Sequence, residues 1–271
     1  MLAVMLAGGA SGNMLCAQTD VDLDPDFGGR LSVGVVKKVA KGFSLSLDEE
    51  LRMDNGMASV DRLMTTLGVR YDVNRYLRLG IGYSMINAYD AEASEFDALR
   101  HRLMADVTLR YKAGNWEFSL RERFQSTTRT DEFNEYQATK TSLGLKSRLK
   151  VAYKNKSRWD PYAYLELRHT LNGAEITAYY DGTRYLTEDG KAKGDPGWFL
   201  DGWTKTYLDR TRLAVGTTFS INKSNELDLY VMGDRETEYS IDANAEGTKL
   251  KSYTCEKGFV GWVGASYTFK F

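Results

Sequence analysis

Only two imidazoles occur in the 271 residues, His101 and His169, so chemistry that needs a histidine base has two places to be. His101 opens "HRLMADVTLRY" and Ser126 closes "WEFSLRERFQS", on either side of "KAGN". If those four residues form the turn, Tyr111 faces Trp116 and His101 faces Ser126. A serine beside a histidine is a nucleophile and its base, which makes a lipid hydrolase using Ser126 and His101 the catalytic alternative. Its orienting acid fails. Glu122 lies four residues from Ser126, about 13 Å at about 3.3 Å per residue, beyond hydrogen-bond reach. His169 has no comparable partner. The residues therefore predict no enzyme.

Other reactive types give less. "DVDLDPD" alternates aspartates like the start of a calcium loop, but it lacks the glycine at position six, and Leu31 stands where a glutamate is needed. It reads as a solvated N-terminal tail. Cys16 and Cys255 form no framework, and Cys255 has no ligand at metal spacing. Neither metal nor cofactor is expected. A net charge of −1 gives no basis for binding nucleic acid.

Arginine is the residue type with a pattern. In "FSLSLDEELRM", Phe43, Leu45, Leu47 and Leu51 alternate with Ser44, Ser46, Asp48, Glu50 and Arg52. Such period-two alternation marks strands, and it returns in "DRLMTTLGVRY", "YLRLGIGYSMI", "HRLMADVTLRY", "WEFSLRERF", "TSLGLKSRLKVAY", "PYAYLELRHTL", "YLDRTRLAVGTTFSI", "ELDLYVMGD" and "GFVGWVGASYTFKF". With "GRLSVGVVKK" this makes about eleven segments and an all-β chain. The connections alternate in length. "VAKG", "VNR", "KAGN", "KNKSRW" and "NKSN" are short. "AYDAEASEFDAL", "STTRTDEFNEYQATK", the stretch from Asn172 to Lys205 and "RETEYSIDANAEGTKLKSYTCEKG" are long.

That sorting predicts an up-and-down antiparallel transmembrane β-barrel in the outer membrane of a Gram-negative bacterium, with short periplasmic turns and long external loops. Even parity predicts 12 strands, with "TDVDLDPDF" supplying the extra one, or 10 if "GRLSVGVVKK" lies partly outside the wall. Residues 1–17 read as the hydrophobic part of a secretory signal, without its basic start. Residues 18–271 then form a single barrel domain. The apolar rows meet lipid, and Phe43, Tyr71, Tyr111, Trp116, Tyr153 and Phe219 form an interfacial girdle near the short turns. The polar rows place Glu50, Arg52, Arg62, Arg70, Arg102, Asp106, Arg121, Arg123, Arg148, Glu166, Arg210 and Arg212 along the lumen. A basic lining favours a small anionic solute, while paired charges in so narrow a barrel also plug it. The expected role is structural or a narrow, mildly anion-leaning channel, with external loops for a partner. The segment "ITAYYDGTRYLT" is expected to form an external hairpin. A soluble secreted β domain that binds glycans through its aromatics is the remaining alternative.

Glu49 and Glu122 break the apolar rows, each six residues past the aromatic that opens its strand. A β-bulge turning each carboxylate inward is expected; a polar spot on the wall is the other reading.

These segments together resemble the domain-of-unknown-function 2490 family of outer-membrane proteins. The resemblance rests on "DFGGRLSVGV", "FSLSLDEELRMD", "RHRLMADVT", "WEFSLRERFQ", "LKSRLKVAYK", "PYAYLELRHTLN", "GWFLDGW" and "ANAEGTKLKSY". It implies an exported outer-membrane barrel and brings no activity or cofactor with it. In the final strand Phe259, Val263, Ala265, Tyr267, Phe269 and Phe271 share one phase, and the terminal aromatic looks like a signal for barrel assembly.

Overall fold

The computed structural model describes residues 18–90, 94–154, 157–179, 197–245 and 250–271. The suggested signal segment 1–17, with Cys16, lies outside them. Among the described residues thirteen strands form: β1 (Gln18–Asp22), β2 (Asp26–Ala40), β3 (Phe43–Asp54), β4 (Ser59–Asp72), β5 (Leu77–Asp90), β6 (Glu95–Phe96) and β7 (Arg100–Ala113). They continue as β8 (Trp116–Arg129), β9 (Thr141–Tyr153), β10 (Trp159–Tyr179), β11 (Gly197–Ser220), β12 (Asn225–Ala243) and β13 (Leu250–Lys270). From β2 to β13 each strand pairs antiparallel with the next, β6 being a two-residue flap on β5. β13 then pairs with β2 in parallel and closes the barrel.

The wall has eleven staves, not twelve or ten. An odd meander brings its first and last strands together running the same way, and a parallel ladder joins them. "TDVD" is neither a solvated tail nor a twelfth stave. It forms β1, parallel to β13 and in line with β2, and the two are interrupted around Pro25, which has no N–H for the ladder. Asp26 takes hydrogen bonds from the backbone N–H groups of Asn55 and Gly56, at 3.1 and 3.3 Å, and so ties this strand to the β3–β4 turn.

Short turns gather at one end. Gly114, at φ +59°, makes the β7–β8 connection a two-residue turn, Gly114-Asn115, since glycine reaches that region without a Cβ penalty. Asn74 and Asn222 cap their turns through side-chain oxygens.

At the other end the barrel is lopsided. β10 to β13 run 19 to 24 residues, whereas β3 to β9, the flap aside, run 12 to 14. Much of "RETEYSIDANAEGTKLKSYTCEKG" is therefore strand, and "ITAY", the described part of the suggested external hairpin, extends β10 against β11. The rest of that stretch, 180–196, lies outside the described residues. The β8–β9 loop leans across the mouth onto this tall side. Asn134 and Gln137 donate to the carbonyl of Ala243 at 3.1 and 2.9 Å, the Trp203 indole donates to Glu135 O at 3.2 Å, and Tyr136 packs against the buried cluster of Ala174, Ile241, Ala243 and Tyr253. Arg129, at the end of β8, donates to Asp131 in the loop at 3.0 Å and holds that carboxyl below its ordinary pKa.

The barrel is apolar outside and charged inside. Ile81, Leu103 and Leu213 are 65%, 62% and 61% exposed, while Glu166 and Asp234 are 1% and 0% exposed. Aromatics gather on the outer wall at the short-turn end: Phe43 stacks on Tyr71 at 4.3 Å, Trp159 lies tilted against Phe219 at 4.4 Å, and Trp116 meets Tyr153 edge-on at 5.0 Å.

Candidate functional site

Strand register stacks the interior charges in layers. In one, Arg121, Arg148, Glu166, Arg212 and Asp234 lie directly opposite one another across β8 to β12. Signs mostly alternate here, and every acid is engaged. Arg212 Nε and Nη2 donate to the two oxygens of Asp234, each at 2.6 Å. Glu166 takes Arg148 at 2.6 Å and Arg121 at 3.2 Å, with Arg212 at 3.6 Å. Buried bidentate pairs of this kind are geometrically specific and lock neighbouring strands in register.

The next layer towards the loops differs. Asp106, Arg123, Lys146, Arg168, Arg210 and Glu236 are successive cross-strand partners on β7 to β12, so four cations stand side by side between two acids. Across the barrel Arg30, Arg52 and Arg62 also lie directly opposite one another on β2 to β4. Like charges in such positions destabilise a sheet. Two aspartates offset part of this, and each is the extra residue of a β-bulge. Asp61 falls in the register break at Arg52/Met53 and takes Arg62 at 2.7 and 2.8 Å. Asp209 falls in the break at Arg168/His169 and takes Arg168 at 2.7 Å. Arg123 pairs with Asp106 at 2.6 and 2.7 Å, and Arg210 with Glu236 at 2.8 Å.

These rows enclose a waist. A cavity of about 240 Å³ is lined there by eight basic and four acidic side chains. It lies between a chamber of about 710 Å³ towards the short turns and one of about 520 Å³ under the β8–β9 loop. Arg102 borders all three. Glu50, Arg52, Arg70, Asp106, Arg121, Arg123, Arg148, Glu166 and Arg212 face the larger chamber, and Arg62 and Arg210 face the waist. Arg30, Arg168, Asp209 and Asp234 were not singled out from sequence. Period two counted from Glu166 reaches Arg168, but Asp209 faces inward only because of its bulge. Aromatic faces hold further cations: Arg30 lies 4.3 Å from Trp262, Arg148 4.2 Å from Tyr164 and Lys150 3.6 Å from Tyr162.

Other expected sites fall on the outer wall. The two-residue turn slides β8 by two residues against the four-residue expectation, so His101 is opposite Thr128 and Ser126 is opposite Leu103. His101 Nδ1 lies 2.6 Å from the Tyr83 hydroxyl on β5. The facing serine–histidine pair is not formed. Glu49 and Glu122 have no bulge beside them. Both stay outward and take a hydroxyl from the next strand: Thr65 donates to Glu49 at 2.9 Å and Ser147 to Glu122 at 2.6 Å.

A closed meander with an apolar wall and a charged interior defines an inside-out β-barrel. The family described as a protein of unknown function, DUF2490, matches residues 28–188, more than half of the chain, and the chain belongs to that family. No curated protein matches it.

Proposed function

We propose that the chain is an integral outer-membrane barrel whose basic interior serves as a narrow, anion-leaning passage, with the loops at the tall end free to meet a partner. The observation that carries this reading is the inversion of the wall. Apolar side chains stand exposed all round, and most carboxylates and guanidinium groups of the strands turn inward. In water such a wall would be one continuous sticky patch, far above what soluble monomers expose. In a bilayer it is the required surface. On β13 the outward row from Phe269 to Phe259 rises about 25 Å, taking about 3.3 Å per residue and a tilt near 40°. That matches the apolar band of outer-membrane barrels, and the aromatics at the short-turn end fit an interfacial girdle. The excess of guanidinium groups around three linked cavities supports the preference for anions, because rings of fixed charge set selectivity.

The test is heat-modifiable migration on a detergent gel together with outer-membrane fractionation of the exported chain. A band that shifts on boiling and fractionates with the outer membrane is expected. A freely soluble product would contradict the reading.

A further inference from the structure

We infer that the waist is a binding site for a compact multivalent oxyanion of the phosphate class, held by Arg52, Arg62, Arg102, Lys146, Arg168 and Arg210. The inference deepens the passage reading and rests on the same interior. It begins from an unfavourable arrangement. Cross-strand like-charge pairs are normally avoided, yet two rows of them face one cavity. Arg62, Arg168 and Arg52 each have one carboxylate, and Arg210 has Glu236 at 2.8 Å with Asp234 at 3.9 Å. The other two differ. Among the described residues Lys146 has no carboxylate within 4.0 Å. Arg102 has Thr127 Oγ1, at 2.9 Å, as its hydrogen-bond partner, and it lines the same cavity as Arg52, Arg62 and Arg168.

Size and chemistry agree. A cavity of about 240 Å³ holds roughly eight waters at about 30 Å³ each, which is room for one tetrahedral oxyanion and part of its hydration shell. Guanidinium forks match phosphate oxygens in pairs, and an ammonium adds a point charge. An anion seated there would face cations from β3, β4, β7, β9, β10 and β11 at once. It would turn like-charge repulsion across the sheet into attraction. The flanking acids Asp61, Asp209 and Glu236 stay engaged with their own arginines, which leaves Arg102 and Lys146 as the anchoring pair.

The experiment is calorimetric titration of the refolded barrel in detergent, at low chloride, with inorganic phosphate and separately with glycerol 3-phosphate. One site per barrel is expected, weakened about tenfold or more by Lys146→Met and by Arg102→Leu. It should change less than about twofold in Arg70→Gln, whose arginine lines the larger chamber away from the waist. Losing a single charge-assisted contact is of that order. Binding of inorganic phosphate alone identifies the free ion. Binding of both identifies a phosphoryl group on a larger molecule. No binding at millimolar ligand, equal loss in Arg70→Gln, or equal competition from chloride overturns the inference. If a variant refolds poorly, thermal unfolding decides: phosphate should raise the midpoint of the parent chain and leave that of Lys146→Met unmoved, and an equal rise in both overturns it. None of this needs ion flow. A barrel silent in a bilayer that still binds phosphate would contradict the passage and leave the site standing.

Discussion

At the scale of single residues, the interior depends on which carboxylates have which cations. Glu166 and Asp234 are buried, and each is engaged by more than one arginine. Removing one partner from such a buried cluster costs far more than the cluster adds net, so these acids set register rather than raise stability. Glu49 and Glu122 pose the opposite case. Each is an outward carboxylate satisfied by one hydroxyl, and in the proposed bilayer setting it would carry a penalty that falls off toward the interfaces. Glu49→Leu and Glu122→Leu should therefore each stabilise the barrel in lipid vesicles by about 1 kcal/mol, read as a higher urea midpoint. A lower midpoint for both would contradict a lipid-facing wall. The inward or outward sense of nearly every strand residue was legible, because a period of two admits only two answers. The partner of a given residue was not. One turn taken as four residues instead of two moved Ser126 away from His101, and an aspartate in a bulge belongs to no period.

At the scale of elements, strand ends and closure escaped the sequence for related reasons. β12 and β13 continue through "RETEYSIDA" and "LKSYTCEKG", where charged residues are frequent and the apolar face is reduced to a small cluster around Ile241, Ala243 and Tyr253. The apolar row is short there although the ladder persists. Even parity suggested twelve staves or ten, and the parallel ladder of β13 on β2 makes eleven possible. Glycine and tyrosine packing tightens these last staves. A Cβ built on Gly264 would meet the Tyr230 ring at 2.1 Å, so the ring lies flat over its cross-strand neighbour. Gly264→Ala should destabilise by about 1–3 kcal/mol through overpacking. Tyr230→Ala in the same chain should recover part of that loss in a double-mutant cycle of refolding equilibria. Additive losses would show that the ring and the glycine act independently.

At the scale of the whole molecule, the sequence carried the class of fold because the barrel is regular, and it carried the sign of the interior because arginine dominates the inward rows. It did not carry the waist. Arg30, Arg52 and Arg62 on one side, and Lys146, Arg168 and Arg210 on the other, meet only once the meander has closed. The central claim is that this closed interior is a basic passage through a membrane. The most direct measurement is the reversal potential of the purified barrel in a planar bilayer under a potassium chloride gradient. Fixed guanidinium charges predict open events whose reversal potential has the sign of chloride preference, weakening as salt screens the waist. A reversal potential of potassium sign, or a folded, inserted barrel that never conducts, would contradict the account.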